Sequence, residues 1–77
     1  MPHLIVKMYS GRSEDEKRAL TAALTRAVTA TLGYPEASVS IELEDVEPSR
    51  WVDDVYRPDV LARMDRLSKK PGYDPLK

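Results

Sequence analysis

Ser13-Glu14-Asp15-Glu16-Lys17-Arg18-Ala19-Leu20, running on through Leu24 and Val28 to Gly33, is the stretch that decides the fold. Ser13 is a side-chain acceptor for the first orphan N–H groups, and Glu16, three residues later, completes a capping box. Three acids in the first turn suit the positive end of the helix dipole. Leu20, Ala23, Leu24, Ala27 and Val28 recur at helical spacing and form one apolar stripe. Gly33 supplies a left-handed stop. The spacing predicts an amphipathic helix between these two caps.

On either side lies a strand pattern. His3 to Tyr9 places Leu4, Val6 and Met8 on one face and Ile5 with Lys7 on the other, and Gly11 breaks it. After the turn Gly33-Tyr34-Pro35-Glu36, the run Ser38 to Val46 alternates. Val39, Ile41 and Leu43 oppose Ser40, Glu42 and Glu44. Strand, helix and strand of these lengths make a βαβ unit with parallel strands and a right-handed crossover. Lys7 and Glu42 fall on matching polar faces, and a cross-strand pair there contributes about 0.2–1 kcal/mol. Further on, Pro48 opens a short helical turn through Trp51 and Val55. Pro58 suits the first position of a second helix, where its missing N–H costs nothing. Val60, Leu61, Met64 and Leu67 give that helix a narrow stripe, and Lys69-Lys70-Pro71-Gly72-Tyr73 ends it. No repeat or linker interrupts residues 1–77, which read as a single α/β (α+β) domain.

The chain has 77 residues, 12 Lys and Arg against 13 Asp and Glu, one histidine and no cysteine. Disulfides and zinc-thiolate sites are excluded, and a lone His3 does not build an ordinary metal site. A net charge of −1 gives no field for nucleic acid or anionic lipid. No run spans a membrane or resembles a signal-peptide core, so the expectation is a cytoplasmic protein. A chain this short buries only about 60% of its unfolded surface. A two-stranded sheet also has two open edges. Both point to a homo-oligomer, with a dimer favoured.

The candidate chemistry starts at Pro2. Removal of Met1, which a small second residue permits, leaves a secondary amine at the head of a strand. An α-amino group titrates near ~7.7–8.0, and desolvation or a nearby cation lowers that value. The ring also fixes the direction of the lone pair. Arg12, just before the helix cap, suits a carboxylate in bidentate fashion. Read alone, it is a solvated turn residue. Trp51 suits an apolar pocket wall, and read alone belongs to a core or interface. His3 adjoins Pro2, although a single strand histidine is more often structural. Asp45 with Glu47, and Asp53 with Asp54, read as acidic surface loops. Lys69 and Lys70 read as helix C-terminal cations.

Together these residues resemble the tautomerase superfamily, in its short-chain branch typified by 4-oxalocrotonate tautomerase. The matching residues are Met1-Pro2 before a strand, Gly11-Arg12-Ser13 with Glu14-Asp15-Glu16-Lys17 opening the helix, Ala37-Ser38-Val39 leading into the second strand, and the aromatic Trp51. Pro48, Trp51 and the Lys69–Tyr73 tail are similar to a dimeric, phenylpyruvate-type subgroup. The resemblance implies a βαβ protomer with a short C-terminal helix, dimerising into a four-stranded sheet with helices on one face. It implies that Pro2 shuttles the proton of an enol, that Arg12 binds the substrate carboxylate, and that Trp51 lines the apolar side. It implies no cofactor. The family archetype carries a second-strand arginine where this chain has Ser40, so Ser40 is expected to turn preference from dicarboxylates toward monocarboxylates. Arg50, beside Trp51, is a candidate substitute. The expected activity is enol–keto isomerisation of a small 2-oxo acid such as phenylpyruvate. The alternatives are hydratase, dehalogenase or decarboxylase chemistry at the same proline, or a non-catalytic dimer that binds a metabolite or a protein.

Overall fold

Ser13 caps the central helix, α1 (Glu14–Leu32), as the capping box requires. In the computed structural model, which describes residues 1–77, the Glu16 backbone N–H donates to Ser13 Oγ at 3.1 Å. The Ser13 backbone N–H returns a bond to Glu16 Oε1 at 3.1 Å. At the other end Gly33 adopts φ 76° and donates its N–H to Thr29 O. Strands β1 (His3–Tyr9) and β2 (Ser40–Val46) flank α1 and pair in parallel. β2 starts two residues later than the alternation suggests. Both the Ser38 backbone N–H and its hydroxyl turn back to Pro35 O, closing a single 3₁₀ turn over Glu36–Ser38. A serine that bonds to nearby backbone competes with the sheet ladder.

The register His3↔Ser40 through Tyr9↔Val46 assigns the two faces. Leu4, Val6 and Met8 share one with Ile41, Leu43 and Asp45. α1 crosses this face, where Lys17 Nζ meets Asp45 Oδ2 at 2.6 Å. The opposite face carries His3, Ile5, Lys7 and Tyr9 beside Ser40, Glu42, Glu44 and Val46. Here Lys7 stands across from Glu44, and its ammonium goes to Asp59 at 2.5 Å rather than to Glu42. That expectation therefore fails. Alternation assigns a face but not the register along the strand, and it cannot foresee a partner 52 residues away.

Asp59 arrives on a C-terminal helical segment that covers the second face. A 3₁₀ turn, Pro48–Arg50, leads into a π-helical stretch, Val52–Val60, and then a 3₁₀ stretch, Leu61–Arg66. Pro58 lies inside the π-helix and not at a helix start. Its ring would crowd the carbonyl four residues back in a tight α-helix, and wider turns relieve that contact. Leu61 faces outward at 44% exposure, so the expected stripe is interrupted.

Only Val46, Val55 and Tyr56 are buried, too few to hold one protomer together. The accessible surface is 5816 Å² for 8.7 kDa, whereas a compact monomer of that mass exposes about 4,700 Å². The excess is comparable to one partner's share of a standard interface. The ladder shows which strand edge is open. The Pro2 carbonyl and the Ser10 N–H both face β2, at 3.2 Å from Ser40 N and 3.0 Å from Val46 O. Even positions of β1 therefore point inward, and His3, Ile5, Lys7 and Tyr9 present their backbone groups to the open edge. β1 is also the more apolar strand, whereas Glu42, Glu44 and Asp45 mark β2 as an outer edge. Ile5→Pro should remove one outward N–H and leave the β1–β2 ladder intact. The expected result is a shift to monomer in sedimentation at micromolar concentration. An Ile5→Pro protein that sediments like wild type would rule out assembly through this edge.

Candidate active site

The residues singled out by sequence lie at the two ends of β1. At its head, Pro2 is half-buried while Met1 projects with 91% exposure. Ser40 clamps this end twice. Its backbone N–H donates to the Pro2 carbonyl, and its hydroxyl lies 2.7 Å from His3 Nδ1. Both side chains belong to the face covered by the C-terminal segment.

At the far end the chain turns through Gly11, whose φ of 114° lies in the left-handed region that favours glycine. This turn sets Arg12 at the mouth of α1. The guanidinium is well exposed and contacts Glu16 Oε2 at 3.2 Å. The Ser13 backbone N–H, the Ser13 hydroxyl and Arg12 together hold the Glu16 carboxyl below the usual range. Beside this turn stand three aromatic side chains. Trp51 meets Tyr9 edge to face, centroids 5.2 Å apart, and donates its indole N–H to the Tyr73 hydroxyl at 3.0 Å. Tyr9, Trp51 and Tyr73 line an open surface cavity of about 330 Å³. Tyr73 in turn leans on Tyr56, whose phenol is pushed above its usual value by burial and then by Asp74.

Pro2 and Arg12 are not neighbours within one chain. The seven residues of β1 separate Pro2 from Ser10 by about 25 Å. A strand carries its two ends apart, so the two residues do not meet within a single protomer. Trp51 lies with Arg12 at the far end, and Ser40 lies with Pro2. Arg50 is engaged by Asp54 at 2.8 Å and is no free substitute. The acidic groups are equally occupied: Asp45 by Lys17, Glu47 by Ser10, Asp53 by Arg57 and Asp54 by Arg50. Tyr9, Tyr73 and the His3–Ser40 contact escaped the sequence reading. Tyr9 carried one usable signal, since it shares strand parity with Ile5 and ends the strand. Tyr73 sits in an irregular tail that has no such signal.

A family model described as "Tautomerase enzyme" matches residues 2–56, beginning at Pro2. Among similar proteins, a "Probable tautomerase" of Xylella fastidiosa is 41% identical over 76 residues, spanning 99% of this chain and 93% of that protein. "Tautomerase PptA" of Pectobacterium carotovorum is 36% identical over 74 residues, spanning 95% of this chain and 97% of its own. Among solved structures, TomN, a 4-oxalocrotonate tautomerase homologue of the tomaymycin biosynthetic pathway, has a TM-score of 0.64 at 42% identity. It covers 65% of this chain and 77% of that one. A structure described for trans-3-chloroacrylic acid dehalogenase activity has a TM-score of 0.62 at 26% identity, over 64% of this chain and 92% of its own. The C-terminal segment beyond Tyr56 lies outside the family model, yet the alignments with the full-length relatives extend into it.

Proposed function

The chain belongs to the tautomerase family and is an isomerase; from that premise we propose that it interconverts the enol and keto forms of a small 2-oxo monocarboxylic acid with an aromatic or apolar tail, phenylpyruvate being the type. The observation that carries this reading is that an aromatic cavity and an exposed arginine occur at the same end of a strand whose other end begins with proline. Antiparallel pairing of two β1 strands over their full length is centred on Val6. It sets His3 across from Tyr9 of a second protomer, and Pro2 across from the Ser10–Arg12 turn. Two protomers then make a four-stranded sheet with two sites, each built from both chains. With the two-fold axis normal to the sheet, His3, Ser40 and the aromatic cavity lie on the same side.

In that site Arg12 of the second protomer holds the substrate carboxylate, and the tail enters the cavity of Tyr9, Trp51 and Tyr73. Burying such a ring contributes roughly 1.5–3 kcal/mol. With Met1 removed, the Pro2 amine takes the proton of the enol oxygen and returns it to C3 as the C2 carbonyl forms. The nearby guanidinium disfavours the protonated amine and keeps a usable base at neutral pH. Hydration or dehalogenation at the same proline requires a carboxylate free to activate water, and Asp45, Glu47, Asp53 and Asp54 are each engaged by another side chain.

Charge decides the substrate class. A second carboxylate in this pocket finds no second cation, and an unpaired charge in a partly desolvated site costs several kcal/mol. The enol of phenylpyruvate should therefore exceed a dienol dicarboxylate in kcat/KM. Ser40→Arg should narrow or reverse that ratio, because position 40 lies on the cavity side of the sheet. Equal preference in the wild type, unchanged by Ser40→Arg, would remove the charge argument and with it the proposed substrate class.

A further inference from the structure

As charge moves between C2 oxygen and C3, the oxygen needs a hydrogen-bond donor, and Arg12 is already assigned to the carboxylate. The polar side chains near the head of β1 leave few choices. The Ser38 hydroxyl donates to Pro35 O, and Lys7 is held by Asp59. The Ser40 hydroxyl is occupied by His3. His3 keeps one ring nitrogen unengaged. It adjoins Pro2, is exposed in the protomer, and lies on the cavity side of the sheet.

We propose that His3 is a catalytic residue of this isomerase, oriented by Ser40, and that its Nε2–H donates a hydrogen bond to the C2 oxygen of the 2-oxo acid. This rests on the function proposed above. With the Ser40 hydroxyl donating to Nδ1, the ring carries its proton on Nε2. Fixing one ring nitrogen sets the role of the other. In ketonisation the enol O–H proton passes to the Pro2 nitrogen. The C2=C3 electron pair then takes that proton at C3, and the oxygen pair closes the carbonyl. His3 neither gains nor loses a proton. It stabilises the oxygen while that atom carries charge, and a donor so placed acts mainly on the transition state. Ser40 is a positioning residue: it holds the Pro2 carbonyl through its backbone and the His3 ring through its hydroxyl.

The test uses His3→Phe, His3→Gln and Ser40→Ala in the assembled protein, with phenylpyruvate enol as substrate. His3→Phe should lower kcat by about 100-fold with KM little changed. His3→Gln, which restores an N–H near the same place, should recover part of the loss. Ser40→Ala should lower kcat less, and should cost nothing further in the His3→Phe background. Because the chain has one histidine, its ¹⁵N ring resonances are unambiguous. In the Pro2→Ala protein, phenylpyruvate should shift Nε2 and leave it protonated. Wild-type kcat in His3→Phe, or an Nε2 resonance unmoved by bound phenylpyruvate, would overturn the assignment. Either outcome leaves the proposed function standing if Pro2→Ala is inactive; a wild-type protein without enol–keto activity would instead remove that function itself.

Discussion

Pro2→Ala lowers turnover of phenylpyruvate enol by at least about 100-fold, the lower range for loss of a positioned acid–base group, and leaves fold and assembly unchanged. The substitution keeps an amino-terminal amine and deletes the ring. A primary amine on a rotatable bond is no longer held in one direction, so the loss falls on kcat. Pro2 makes one backbone bond, through its carbonyl to Ser40, and alanine keeps it. Retention of Met1 should be as damaging, since it converts the Pro2 nitrogen into an amide with no basic lone pair. Intact mass identifies the processed chain, and the rate of each form follows from the same preparation. For the free amine the rate should rise with pH as the ammonium loses its proton, and the amide form should lack that limb. Pro2→Ala with wild-type kcat, at equal fold and assembly, would exclude the proline as base.

The parts of this fold legible in the sequence are those written in short-range pattern. The Ser13 cap, the Gly33 stop and the alternation of β1 each involve residues within one or two turns, and each stands where expected. What escaped depends on long-range geometry. The Lys7 ammonium finds Asp59 because the C-terminal segment folds back over the sheet, and no local pattern announces that return. Pro58 reads as a helix start because proline favours that position, but here the helix widens around it. The site divides in the same way. Pro2, Arg12, Trp51 and Ser40 were visible as residue types, but their distribution over the two ends of β1 was not. Spacing along a chain measures contour and not distance, and ten residues of strand lie very differently from ten residues of helix.

That distribution makes the second large effect a matter of mixing. Arg12→Ala removes the proposed charged partner of the substrate carboxylate, and loss of such a hydrogen bond should lower kcat/KM by about 10- to 100-fold. Alone, then, both Pro2→Ala and Arg12→Ala are poor enzymes. If each site takes its proline from one protomer and its arginine from the other, a mixed dimer regenerates one intact site. That site joins Pro2 of the Arg12→Ala chain to Arg12 of the Pro2→Ala chain. The other site carries both lesions. Random reassortment makes half of the dimers mixed, so co-expression of the two variants should restore about a quarter of the wild-type sites. The rate is read below KM, after the two chains have been shown to be present in equal amounts by mass. The strand length makes the test sharp, because about 25 Å between Pro2 and Ser10 leaves no route for a site within one chain. Activity of the mixture no higher than the mean of the two variants would mean that proline and arginine do not meet across β1. The edge pairing and the shared site would then fail together, even if Pro2 remained the base.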